Sequence, residues 1–191
     1  MPIYNRRPEM VGYQAITSFP MTIDRNVFGA WLSGFVAGEG SFSLTMRRDC
    51  PRAAFNMQLR SDDAAVLHLI QSYWMCGGVY LINRKDDGRI RNQAVSLTVY
   101  KHEHLETILI PHFEMFPLFA KKARDFDWWK KGVRLVCLIN KRKRHKCGTS
   151  GQWGRSRKWL PEEIEEFKLY HDEIRDVRSR DVKKADLRHS S

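Results

Sequence analysis

The chain reads as an α+β fold in the order αββαββα, two antiparallel hairpins set between helices, with a further helix at the C-terminal end. Three observations predict it. A glycine-bearing amphipathic helix occupies about 26–39. Apolar spacing switches from a period of 3.6 to a period of 2 directly after Gly40. A helix followed by alternating strands then recurs from Ser61 onward.

Residues 1–24 form a polar arm punctuated by prolines, and Asp24 or Asn26 can cap the first helix. Phe28, Trp31, Leu32, Phe35 and Val36 fall at helical spacing and predict a core stripe. Ala30, Ser33, Gly34, Ala37 and Gly38 repeat that spacing on the opposite side with small residues only. Each helical glycine costs about 1 kcal/mol relative to alanine. Close approach of a second helix offsets such a cost, so this helix is expected to be buried on both sides. Gly40 is expected to end it in the left-handed conformation.

Phe42, Leu44 and Met46, then Phe55, Met57 and Leu59, alternate with polar residues on either side of a turn expected at Asp49-Cys50-Pro51. Ser61 caps a second helix with Val66, Leu69, Ile70, Tyr73 and Trp74 inward, and Gly77-Gly78 breaks it. A second hairpin, Val79–Lys85 and Arg91–Tyr100, flanks the turn Asp87-Gly88. A third helix starts near His102 and ends before Pro111, and a fourth runs from about Lys121 to Ile139 with Phe126, Trp129 and Val133 inward. Lys141-Arg142-Lys143-Arg144 opens a basic loop over 141–160. Pro161-Glu162-Glu163 starts a last helix, which Ile164, Phe167, His171 and Ile174 can dock, with a charged tail after it. The divisions are therefore 1–24, 25–140, 141–160 and 161–191.

Thirty-three Lys and Arg against 22 Asp and Glu give a net charge of +11 and a pI near 9.7. That balance points to a polyanionic partner. No apolar run approaches the roughly 20 residues of a membrane span, and no apolar segment follows Arg6-Arg7 as a secretory signal requires. The expected setting is intracellular, with no membrane partner. Cys50, Cys76, Cys137 and Cys147 lack CxxC spacing, so reduced thiols are expected instead of a disulfide framework. Zinc finds no complete ligand set in Cys137, His145 and Cys147.

The outward strand residues are short hydrogen-bonders and arginines: Ser41, Ser43, Thr45, Arg47, Asn56, Gln58, Arg60, Ser96 and Thr98. Arg48, Arg52, Arg84, Lys85, Arg89 and Arg91 crowd the turns. A β-ribbon with such a face enters the major groove of double-stranded DNA, Arg reading guanine and Asn or Gln reading adenine. Lys141, Arg142, Lys143 and Arg144 add expected phosphate contacts.

Glu39 follows the small-residue face at the negative end of the helix dipole, where a carboxylate is disfavoured unless a cation joins it. Two such helices packed through their small faces bring carboxylates and free carbonyls together, a donor set suited to Mg²⁺.

Leu32-Ser33-Gly34-Phe35-Val36-Ala37-Gly38-Glu39-Gly40, continued by Ser41-Phe42, resembles the defining motif of the LAGLIDADG homing endonucleases. Gly34, Gly38, Glu39 and Gly40 match; Ala37 stands where many members carry an acid. The resemblance covers roughly 26–140. It implies a four-stranded antiparallel saddle sheet on DNA and metal-dependent cleavage of a long, partly palindromic site. It further implies Glu39 as metal ligand, with the Gly38 carbonyl beside it. Mg²⁺ is the implied cofactor, with Mn²⁺ as an alternative and Ca²⁺ as a non-cleaving substitute.

The segment Pro117–Phe126 resembles the family's active-site lysine segment, with Lys122 fitting better than Lys121. Some members place a glutamine on the second strand near the attacking water; Gln58 and Arg60 lie close to that place, and Leu59 occupies it. One motif supplies one carboxylate, so a homodimer is expected. The alternative is a non-cleaving binder of the same fold, an intron RNA maturase or a DNA-binding regulator.

Overall fold

The computed structural model describes residues 18–47, 50–82, 93–145 and 159–187. Helix α1 (Arg25–Glu39) starts where the Asp24 carboxylate accepts the Asn26 and Val27 amides, so Asp24 is the cap. Strand β1 (Gly40–Arg47) follows without a connecting loop and pairs with β2 (Cys50–Arg60). The turn is therefore shorter than expected. Cys50 and Pro51 already pair with Arg47 and Met46, on the stretch of β2 that has a neighbour on one side only, where proline is tolerated.

After β2 the chain enters α2 (Ala64–Trp74) through a 3-10 turn at Ser61–Asp63, so Ser61 is not the cap that its hydroxyl suggested. Its amide instead bonds the Gln93 carbonyl at 3.0 Å. The inner stripe of α2 is Ala64, Leu67, Ile70, Tyr73 and Trp74, with Val66 and Leu69 only half-buried. Met75 at φ 53° and Gly77 at φ 87° turn the chain into β3 (Gly78–Ile82). At Gly77 a side chain would also strike Val99 and Leu97. Strand β4 is Ala94–Val99, and the expected turn around Asp87-Gly88 lies outside the described residues.

The sheet has the order β1-β2-β4-β3, with all neighbours antiparallel, so the two hairpins join through β2 and β4. Helices cover one face. The third helical segment does not stop before Pro111. It runs as α3 (His102–His104), a π turn (Leu105–Leu109) and α4 (Ile110–Met115). Proline sits at the start of α4, where a missing amide costs little.

Helix α5 (Ala120–His145) crosses beneath β1 and β2. Trp129, fully buried, donates its indole N–H to the Ala54 carbonyl at 3.0 Å. At Gly132 a Cβ would lie 2.7 Å from a Leu44 methyl, so any larger residue here would have to displace the end of the Leu44 side chain. Phe42, Phe55, Phe113, Phe126 and Trp129 pack with ring centroids 4.9–6.3 Å apart in the centre of this core.

The basic stretch departs from the expected loop, because α5 continues through His145. Lys141 pairs with Glu106 at 2.9 Å and Arg142 with Glu163. Helix α6 (Pro161–Leu187) lies along α5, held by buried Phe167 and Ile174, with buried Trp159 preceding it and Tyr170 against Trp128. Burial pushes the Cys76 and Cys137 thiols up to about 11 and about 12. Thiolates are correspondingly scarce there at neutral pH.

His112 lies among Tyr73, Trp74, Phe113 and Phe116, and burial pushes its imidazole down to about 4. An unfolded histidine titrates near about 6.5. Below that pH the unfolded chain therefore holds a proton that the folded chain lacks. Stability from neutral His112 is full above pH 6.5 and falls by about 3 kcal/mol as the pH drops to 4. Urea unfolding of His112→Phe should lose stability less steeply between pH 7 and 4.5 than the wild type. Equal slopes would contradict this role.

Candidate catalytic centre and nucleic-acid face

Glu39 is the last residue of α1 and is exposed; Gly40 is the first of β1. Gly40 is extended at φ −80°, not left-handed as the sequence suggested. Its glycine is required by proximity instead. The Gly40 amide bonds the Val36 carbonyl, and a Cβ there would lie 2.6 Å from Val36 Cγ1 and 2.8 Å from Val36 O. The helix thus hands over to the strand at once, and the Glu39 side chain leaves from that corner.

Lys122, 82 positions further on, donates from Nζ to the Gly40 carbonyl at 2.7 Å. Of the two lysine candidates, Lys122 is the one given this bond to the junction. Lys121 joins Lys122, Ala37, Phe119, Ala120 and Asp125 in lining an open cleft of about 450 Å³ beside it. Ala120 holds φ 51°, a conformation that side-chain-bearing residues rarely adopt, at the wall of this cleft. Asp125 is only 3% exposed, a buried carboxylate one helical turn from the lysines. No motif singles out Asp125 in the sequence; its signal is the i+3 and i+4 spacing from Lys122 and Lys121.

Among the described residues no group of three or more His, Cys, Asp or Glu side chains gathers to hold a metal. The corner offers one carboxylate, Glu39, with backbone carbonyls of the helix end beside it. That is a hard oxygen donor set that fits Mg²⁺ in kind but is incomplete in one chain.

The two faces of α1 divide differently from expectation. Ser33 is buried, and its hydroxyl donates to the Phe116 carbonyl at 2.7 Å, so it works inside the chain. Ala30, Gly34, Ala37 and Gly38 are exposed, and a Cβ added at Gly34 or Gly38 meets nothing within 4 Å. Trp31, expected in the core, is 45% exposed and stacks on Phe35 with centroids 5.0 Å apart. Among the described residues nothing of the same chain covers this small face.

Pairing aligns the open sheet face in rows. Ser41, Asn56, Thr98 and Gly78 form one row; Gln58, Ser96 and Tyr80 form the next. Ser43 and Thr45 face Ala54 and Arg52 across β1 and β2, which moves Arg52 from the turn to the strand face. Arg60 ends the face, opposite Ala94. No carboxylate stands on these outward strand positions among the described residues. Tyr80 was missed, although it shares parity with Gly78 and Ile82. Gln58 is exposed on this face while Leu59 turns toward the core.

Arg47 lies in β1; Arg48, Arg84, Lys85, Arg89 and Arg91 lie outside the described residues. Lys141 and Arg142 make the ion pairs already described, and Lys143 and Arg144 belong to α5. No helix is long and apolar enough to cross a membrane among the described residues.

The LAGLIDADG endonuclease family matches residues 32–133. A probable intron-encoded endonuclease 3 of Neurospora crassa is 30% identical over 133 residues, 65% of this chain and 24% of the relative. The LAGLIDADG homing endonuclease I-GzeII, solved in complex with its DNA target, superposes with a TM-score of 0.55 at 25% identity, covering 74% of this chain and 42% of that one. The meganuclease I-AabMI, bound to uncleaved DNA, gives 0.51 at 28% identity, covering 63% and 40%. The chain thus spans a quarter of the Neurospora relative and about two-fifths of the two solved proteins. With the match running from the motif helix through the sheet and into α5, the chain belongs to the LAGLIDADG endonuclease family.

Proposed function

We propose that this chain is one subunit of a homodimeric, site-specific double-strand DNA endonuclease that hydrolyses phosphodiesters with a divalent metal. The observation that carries the reading is the bond from Lys122 Nζ to the Gly40 carbonyl. It brings a cation from α5 to the corner where α1 ends in Glu39. The DNA-bound state of the I-GzeII and I-AabMI structures supports a DNA substrate.

The open sheet face would lie along one half-site, with Ser41, Asn56, Gln58, Ser96 and Thr98 offering hydrogen bonds to base edges. Arg52 brings positive charge to the same surface. Packing of Ala30, Gly34, Ala37 and Gly38 against a second copy would bring two Glu39 corners together at the centre of the site, one per DNA strand. Glu39, with the Gly38 carbonyl, would hold Mg²⁺, which when bound lowers the pKa of water and neutralises developing charge. Mn²⁺ should serve in its place, and Ca²⁺ should support binding without cleavage. Lys122, which bonds the Gly40 carbonyl, would polarise the scissile phosphate or orient the attacking water.

On a library of random duplexes, the wild type should cut a discrete site with Mg²⁺ and only bind it with Ca²⁺. Glu39→Gln should bind that site without cutting. If both proteins bind alike and neither cuts an enriched site under Mg²⁺, the chain is a binding module of this fold. Lys122→Met should lower the single-turnover cleavage rate by about a hundredfold at unchanged site affinity, whereas Lys121→Met should act mainly on affinity. The reverse pattern would exchange the two roles.

Gly34→Leu tests the interface. A Cβ there meets no described atom within 4 Å, so the variant should fold. It should sediment as a monomer at concentrations where the wild type is a dimer. A dimer of unchanged affinity would place the contact elsewhere.

A further inference from the structure

Arg60 closes β2 on the open face, and the chain turns at once into the Ser61–Asp63 turn. Asp62 in that turn grips the guanidinium from the side: Nε donates to Oδ1 at 3.1 Å and Nη2 to Oδ2 at 2.8 Å. Both side chains are more than 60% exposed, so the pair stands in solvent and is not part of the core. The turn that carries Asp62 is itself anchored, because the Ser61 amide bonds the Gln93 carbonyl beside β4.

The geometry leaves one edge of Arg60 unused in this pair. Asp62 takes the Nε–Nη2 edge, and the Nη1–Nη2 edge remains a two-donor fork that matches the O6 and N7 acceptors of guanine. The neighbouring outward positions in the same row are Ala94 and Ile82, which carry no hydrogen-bonding side chain. Arg60 is thus the sole polar reader of its row among the described strands. Asp62 also cancels much of its charge, so the pair adds little to phosphate attraction and repels a phosphate that comes near. Such a pair suits selection of a base far better than general adhesion.

We propose that Asp62 is a specificity-positioning residue, which fixes the guanidinium of Arg60 so that it reads one guanine in the DNA site. This rests on the reading of the open face as the DNA-binding surface.

The test is base-by-base selection on the enriched duplex, in Ca²⁺, with wild type, Arg60→Ala, Asp62→Ala and Asp62→Asn. The wild type should prefer guanine at one position, and Arg60→Ala should abolish that preference. Asp62→Ala should reduce it by about tenfold at the same position only, while affinity for duplex DNA of unrelated sequence holds or rises. Asp62→Asn, which keeps one acceptor, should fall between. A merely structural Asp62 would lower affinity at all positions together and would overturn the proposal. So would a guanine preference lost in Arg60→Ala but intact in Asp62→Ala, or a wild-type site in which neither substitution changes any position. If the wild type selects no site at all, the DNA-binding reading itself fails. Thermal unfolding of each variant within a few degrees of wild type marks a folded protein.

Discussion

The charged hydrogen bond between Lys122 and the Gly40 carbonyl ties together the parts that matter most. A part-buried bond from an ammonium group contributes about 1.5–3 kcal/mol, and this one spans the join between α1 and β1. It is the first of three contacts along one face of α5. Seven residues on, Trp129 donates to Ala54 of β2; three further, Gly132 admits Leu44 of β1. Positions 122, 129 and 132 share a helix face, so α5 acts as a rail along which the first hairpin is laid. The Glu39 corner is thereby tied to the sheet behind it, the kind of support that the proposed metal-binding carboxylate would need.

Charge in this chain is divided by location. The basic end of α5 looks like a phosphate-binding segment, yet Lys141 and Arg142 meet Glu106 and Glu163. Those pairs fasten the end of α5 to the π turn and to α6. Among the described residues the outward strand positions carry no acids; Arg52 is exposed there, and Arg60 meets only Asp62 of the following turn. The net charge of +11 therefore describes an attraction for polyanions in general, to which the proposed reading of the sheet face would give a direction.

Much of this was legible in one dimension. Alternation at Phe42–Met46 and Phe55–Leu59, and helical spacing at Phe28–Val36, placed the first helix and hairpin because burial on one face imposes those periods. Glu39 and Lys122 stood out through local motif segments, and the structure brings the Lys122 ammonium to the Gly40 carbonyl next to Glu39. What escaped was decided by tertiary contacts. Ser33 looked like part of a small outer face, but the Phe116 carbonyl gave its hydroxyl a partner inside. Pro111 looked like a stop, but a π turn before it absorbed the missing amide. The run from 141 looked like the start of a basic loop, whereas α5 continues through it, with Lys141 and Arg142 paired to acids 35 and 21 positions away. Trp31 looked like core, but α1 leaves its outer side uncovered within one chain.

That uncovered side and the lone carboxylate would both be met by the proposed dimer, in which a second α1 brings a second Glu39. The most direct measurement is the anomalous scattering of Mn²⁺ in crystals of the protein with a duplex carrying its enriched site. The account predicts manganese at the ends of two α1 helices, bound by Glu39 of each copy and within reach of the phosphate that Lys122 faces. Manganese at any other carboxylate, or α1 helices kept apart in the complex, would contradict it.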